Sequence, residues 1–183
     1  MKEGIYVEKA TQDLRKEHEA ILHVLKILDQ AMSSSKPEAD KLKFYGELLY
    51  FLKIFADKCH HGKEEQYLFT ALTAHGIPNQ GGPVGVMLKE HEEGRKYIAT
   101  MSEALEAQDL PAFKQAAGLY RDLLRKHIEK ENQVLFVMAD KVLDESQQDD
   151  MFEKFEQYEE SIIGHGVHEE LHAMIDSWAR EFL

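Results

Sequence analysis

Apolar residues recur at three- and four-residue steps through most of this chain, and on successive stripes a histidine stands where the step calls for an aliphatic side chain. The spacing is that of one face of an α-helix. Leu14, His18, Ile21, Leu25 and Leu28 mark the first stripe, in a helix expected to start near Thr11, which has the hydroxyl of an N-cap, and to run to about Met32. A second helix is expected from about Glu38 to Ala74 on Phe44, Leu48, Phe51, Leu52 and Phe55, weakened only at Gly46 and Gly62. Beyond the loop between Gly76 and Pro83, the residues Val84, Leu88, His91, Arg95, Ile98 and Leu105 share one face of a third helix. Asp109 and Pro111 open a fourth, which reaches about Leu143 and turns Tyr120, Leu124, His127, Glu131, Val134 and Met138 inward.

Four long helices with short loops predict an all-α chain. The expected architecture is an antiparallel up-down four-helix bundle over about 11–143, with an additional C-terminal helical segment over about 147–183 that Gly164-His165-Gly166 kinks or divides. No linker or shift in composition separates the two parts, so residues 1–183 read as one domain, long enough to bury a real core. A formal net charge of -12 argues against a nucleic acid or an anionic membrane surface as partner, because both are repelled at long range. Cys59, the one cysteine, has no intramolecular partner and points to a reducing compartment. The stretch Met1–Glu8 lacks the apolar core of a signal peptide and no run approaches the ~18 apolar residues of a membrane span, so a cytoplasmic location is expected.

Metal-ligand chemistry enters through histidines followed four residues later by a carboxylate, since such residues face the same way on a helix and offer a nitrogen and an oxygen to one centre. With 10 histidines and 34 acidic residues, about two such pairs arise by chance. His60/Glu64, His61/Glu65, His127/Glu131, His165/Glu169 and His172/Asp176 all fit the pattern, so register has to decide. His61 and Glu65 share heptad positions with Ile54, Leu68 and Leu72, whereas His60 lies with Lys53 and Tyr67. On α-helical counting, His61 and Glu65 therefore face inward, and His60 and Glu64 take a solvated or supporting role. Together with His18, His91 and His127/Glu131 they give one contribution from each bundle helix: four terminal imidazoles and two carboxylates able to bridge and neutralise a dinuclear metal centre.

The strings Leu14-Arg15-Lys16-Glu17-His18-Glu19, His61-Gly62-Lys63-Glu64-Glu65-Gln66-Tyr67-Leu68-Phe69, Glu90-His91-Glu92-Glu93-Gly94-Arg95 and His127-Ile128-Glu129-Lys130-Glu131-Asn132-Gln133-Val134-Leu135-Phe136 resemble the hemerythrin-like, or HHE cation-binding, family in their order along the chain. The resemblance covers essentially the whole bundle. It implies two non-haem iron ions bridged by Glu65 and Glu131, and by an oxo group where one forms, with a coordination position open to dioxygen. It further implies a part in oxygen or iron binding, or in sensing, buffering or a stress response that involves nitric oxide or peroxide. Members that carry oxygen have a second histidine four residues after the position of His91, and this chain has Arg95 there. A guanidinium does not ligate iron, so reversible oxygen carriage is in doubt. Arg95 then either pairs with a carboxylate or steers an anionic oxygen species, and His23 and His168 are the alternatives for the missing imidazole.

Two function classes stay open at this point. One is a protein that binds dioxygen, nitric oxide or peroxide; the other is a di-iron redox enzyme that reduces peroxide or nitric oxide. The string His168-Glu169-Glu170-Leu171-His172 also satisfies the zinc-hydrolase pattern His-Glu-x-x-His, a remote alternative because the extended motif does not follow. His165, His168 and His172 are otherwise expected to cover an end of the bundle or to face solvent, with His168 in a supporting role near the metal.

Overall fold

A computed structural model describes residues 9–183, and the Met1–Glu8 stretch read above for a leader lies outside the described residues. Every element is helical, with no strand among the described residues, and no helix among them is long and apolar enough to cross a membrane. Helix α1 spans Ala10–Ser33. The second rod is continuous but not uniform: α2 (Glu38–Phe51) passes into a π-helical stretch π1 (Leu52–His61), then into π2 (Glu64–Leu68), and ends as α3 (Phe69–Ala74). The third is a plain α-helix, α4 (Pro83–Glu106). The fourth repeats the second on a smaller scale, as α5 (Leu110–Lys130), π3 (Glu131–Leu135) and α6 (Phe136–Val142). The C-terminal part consists of α7 (Glu145–Ile162) and α8 (Val167–Phe182), divided at Gly164 and Gly166, whose φ of 88° and 82° suit glycine.

Local chemistry sets most of these boundaries. Asp109 accepts from the backbone N–H of Ala112 at 3.0 Å to cap α5, and Asp144 accepts from Gln147 N–H at 2.9 Å to cap α7. Thr11 behaves differently from the N-cap expected of it. Helix α1 starts one residue earlier, and the buried Thr11 hydroxyl donates to Asp140 Oδ1 at 2.6 Å, tying α1 to α6.

The interior is two apolar cores with a polar layer between them. One core gathers Ile21, Leu25, Phe44, Phe51, Phe55, Met101, Tyr120 and Leu124, and α8 adds Leu171, Ile175 and Trp178 to it. The other gathers Leu14, Leu68, Phe69, Met87, Leu135 and Phe136, and α7 adds Met151 and Phe155. His18 lies between Leu14 of one core and Ile21 of the other, and the remaining rods cross from core to core at the same level. The C-terminal helices thus contribute to both cores, and α7 approaches the second rod so closely that a Cβ on Gly62 would lie 2.1 Å from the Tyr158 hydroxyl oxygen and 2.8 Å from Cζ. That hydroxyl donates to the Lys58 carbonyl at 3.0 Å and accepts from Gln66 Nε2 at 3.0 Å.

Gly62→Ala should therefore expel the Tyr158 ring and destabilise the protein by about 1–3 kcal/mol in chemical denaturation. Most of that loss should vanish in a Tyr158→Ala background, where nothing stands against the new methyl group. Equal losses in both backgrounds would show that the close approach is not the cause.

Candidate metal centre

In the layer between the cores, the ring or carboxylate atoms of His61, Glu64, His91 and His127 lie within 4.8 Å of one another, as do those of His18, His60, Glu64 and Glu131. Glu64 belongs to both groups. Its Oε1 lies 3.5 Å from His60 Nε2 and its Oε2 lies 3.4 Å from His91 Nε2. Glu131, a member of the second group, reaches both sides through one oxygen, with Oε2 at 3.2 Å from His18 Nε2 and 3.1 Å from His127 Nε2. Both carboxylates are fully buried, at 0% exposure.

The π-helical turns present these groups. In an i→i+5 turn the backbone widens, so two turns consume more residues than the seven of an α-helical heptad. Leu52, Phe55, His60, His61, Glu64 and Leu68 all point inward along π1 and π2, at separations that α-helical counting does not give. Glu64 and Glu131 each open a π stretch, and Phe69 and Phe136 each open the α-helix that follows.

The surroundings repeat with the same regularity. Each imidazole offers Nε2 to the centre because an oxygen engages its Nδ1: Glu17 Oε2 on His60 at 2.8 Å, Glu90 Oε2 on His127 at 2.9 Å, Asn132 Oδ1 on His18 at 2.9 Å, Glu65 Oε1 on His91 at 2.7 Å, and Asp57 Oδ1 on His61 at 3.4 Å. Oxygen-held Nδ1 with Nε2 turned inward is how metal-ligating histidines are oriented. Lys63 in turn bonds Glu17 at 2.8 Å, and Lys130 bonds Glu90. Phe136 stacks on His18 with centroids 5.2 Å apart and Phe69 on His91 with centroids 5.7 Å apart. Glu17-His18 and Glu90-His91 thus play equivalent parts, as do His60-x-x-Lys63-Glu64-Glu65 and His127-x-x-Lys130-Glu131-Asn132.

One half departs from the pattern. His61, where the other half has Ile128, adds a fifth imidazole whose ring stacks on His91 at 3.8 Å. Arg95, where the other half has Leu22, donates from Nε to Asp57 at 2.8 Å and from Nη2 to Glu65 at 2.7 Å, and so holds the carboxylates that orient both His61 and His91.

The electrostatics fit a bound dication pair. His18 Nε2, His60 Nε2, His61 Nε2 and all four oxygens of Glu64 and Glu131 are buried without a hydrogen-bond partner. Buried polar atoms without a partner are rare, and seven gathered in one layer call for a ligand that engages them. Without metal the two carboxylates are driven apart: burial and then the neighbouring Glu131 push Glu64 well above the usual carboxylate range. Burial would raise Glu131 too, but the adjacent His127 and His18 hold it well below that range. Burial disfavours the charged form of His127 as well, yet Glu131 and Glu90 outweigh it and raise its imidazole to about 9. Burial pushes His60, His61 and His91 down, which keeps their nitrogens unprotonated and available.

Of the residues read from sequence as ligands, His18, His61, His91, His127 and Glu131 converge here, and Glu65 stands outside. The side chain of Glu65 is 26% exposed and spans His91 Nδ1 and Arg95. Glu64 takes the central position, and His60, assigned above to a supporting role, lies inside with it. Heptad counting fails because π1 and π2 put extra residues between Ile54 and Leu68. A different signal does find Glu64. Aligning Phe69 with Phe136 matches His60, Lys63, Glu64, Gln66 and Leu68 to His127, Lys130, Glu131, Gln133 and Leu135. His23 is exposed, and His168 touches Glu159 and His172 rather than the cluster, so the imidazole beside His91 and His127 is that of His61.

A sequence model described as the hemerythrin HHE cation binding domain matches residues 9–139, well over half of the chain. None of the curated proteins and none of the solved structures compared with the chain matches it.

Metal has to displace the protons that His127, at about 9, and the raised Glu64 hold in the metal-free protein. Affinity should therefore fall as pH drops below 9, by about tenfold per unit for each proton displaced. Equilibrium dialysis against a metal buffer across this range checks the slope, and a pH-independent affinity would contradict it.

Proposed function

The chain belongs to the hemerythrin HHE cation-binding family, and on that premise we propose that its buried centre holds two iron ions and binds dioxygen or a related small ligand, nitric oxide or peroxide, for sensing, buffering or stress response. The observation that carries the reading is the meeting of seven buried nitrogen and oxygen atoms without hydrogen-bond partners between two apolar cores. Under this reading His61, His91 and His127 serve one iron, His18 and His60 serve the other, and Glu64 and Glu131 bridge the pair. The His18/His60 side would offer one imidazole fewer than the other, which would leave more room there for an external ligand. When bound, the iron pair supplies electrons and a Lewis-acidic position for the small ligand. The protein orients five imidazoles through Glu17, Glu65, Glu90, Asp57 and Asn132 and excludes water with Phe69 and Phe136.

Arg95 acts by positioning, since two of its three guanidinium nitrogens are engaged by Asp57 and Glu65. We read the four rods as an antiparallel up-down bundle, the C-terminal helices as part of the same domain, and the setting as cytoplasmic. The lone buried Cys59 and a net charge of -12 agree with a reducing compartment and with no nucleic-acid or membrane partner.

Anaerobic purification with metal analysis, followed by absorption spectra on adding and removing oxygen, tests the reading. Two irons per chain and a reversible oxygen-dependent band support ligand binding, and sustained peroxide consumption with intact iron would shift the conclusion to a redox enzyme. One zinc and no iron would overturn both. Glu64→Ala should abolish the iron pair, whereas Glu65→Ala should retain it with about 10–100-fold weaker affinity, as loss of an orienting partner does. The reverse order would restore Glu65 as the bridge.

A further inference from the structure

Outside the dinuclear cluster, α8 carries a second pair of facing imidazoles. His168 and His172 lie one helical turn apart, with ring centroids 4.6 Å apart, planes 24° from parallel and Nε2 atoms 2.7 Å from each other. Two such nitrogens cannot both present a hydrogen or both present a lone pair at this distance. One ring has to donate an N–H to the other, or a metal has to sit between them.

The surroundings favour a fixed, metal-ready pair. His168 Nδ1 is engaged by Glu159 Oε1, so His168 turns Nε2 outward as the five imidazoles of the centre turn theirs inward. Glu159 is itself held by the buried Lys63 at 2.8 Å, which anchors the carboxylate on the protein side. Phe55 meets both rings edge-on, at 5.8 Å from His168 and 6.3 Å from His172, and limits their rotation. The Glu159 contact raises His168, while burial and the charge of His168 lower His172.

We propose that His168 and His172 form a third, mononuclear site for a borderline divalent cation such as Zn²⁺, bound through the two Nε2 atoms with solvent completing the coordination. Nitrogens at about 2.1 Å from a zinc, in a right-angled to tetrahedral arrangement, are about 3.0–3.4 Å apart. The observed 2.7 Å needs to open by only a few tenths of an ångström, a shift that the exposed position of His172 allows without turning the ring. A two-imidazole site completed by solvent binds Zn²⁺, Cu²⁺ or Ni²⁺ more tightly than Fe²⁺, in the general order of divalent metals, and it lacks the bridging carboxylates of the centre. Hydrolytic zinc keeps three protein ligands, and among the described residues no third His, Cys, Asp or Glu closes a group with this pair. Binding is therefore the function of the string His168-Glu169-Glu170-Leu171-His172, and hydrolysis is not.

Titrating the iron-loaded protein with Zn²⁺ by calorimetry, with iron measured before and after, should show one additional equivalent per chain. That equivalent should disappear in His172→Ala, a change at an exposed position, and in His168→Ala, with circular dichroism and iron content unchanged. No additional equivalent in the wild type, or its retention in either variant, would overturn the proposal. The readout is zinc bound at unchanged iron, so its failure is distinct from failure of the di-iron reading, which the iron count reports.

Discussion

Two carboxylates face each other across the interior, and most of the structure answers to that fact. Glu64 and Glu131 are fully buried with no hydrogen-bond partner on any of their four oxygens. Burying one ionised carboxylate costs several kcal/mol, and two in mutual repulsion cost more. Protons relieve only part of this, as the opposite displacement of Glu64 and Glu131 shows. Cations held between them, flanked by five imidazoles, would relieve the rest. The two apolar cores exclude water from that layer and strengthen every interaction within it.

The cost is spread through a network that is nearly symmetric. Each half of the centre has a glutamate preceding a histidine, a lysine holding that glutamate, a phenylalanine on the imidazole and a polar residue on its Nδ1. Lys63 extends its half outward to Asp13 and to Glu159 of α7, so the C-terminal helices are joined to the centre by a buried cation as well as by apolar packing. His61 and Arg95 break the symmetry. His61 adds an imidazole to one side of the centre and Arg95 holds the carboxylates beside it, which leaves the His18 side with fewer imidazoles.

Much of this is legible in the sequence, and the part that is not has a specific physical origin. His18, His91, His127 and Glu131 lie on stripes that α-helical counting traces, because α1, α4 and α5 are regular up to the level of the centre, whereas Val134, counted inward on the same stripe as Glu131, falls in π3 and is 50% exposed. The second rod defeats the same count. Its π turns widen the helix just where ligands are needed, so Ile54 and Leu68 are not the register marks that a heptad makes of them, and Glu65 is selected in place of Glu64. π turns concentrate at functional sites because they re-aim side chains at a cost in backbone geometry. The internal match of His60 through Phe69 to His127 through Phe136 assumes no helical period, and it recovers Glu64 for that reason. Arg95 shows the opposite case: its exclusion as a ligand follows from chemistry alone, but its grip on Asp57 and Glu65 depends on contacts between distant turns.

Anomalous diffraction at the iron absorption edge tests the central claim most directly. Two peaks about 3.5–4 Å apart are expected, with Glu64 and Glu131 between them and His60 and His61 on different irons. A single peak, or a pair bridged by Glu65 with Glu64 turned away, would contradict it.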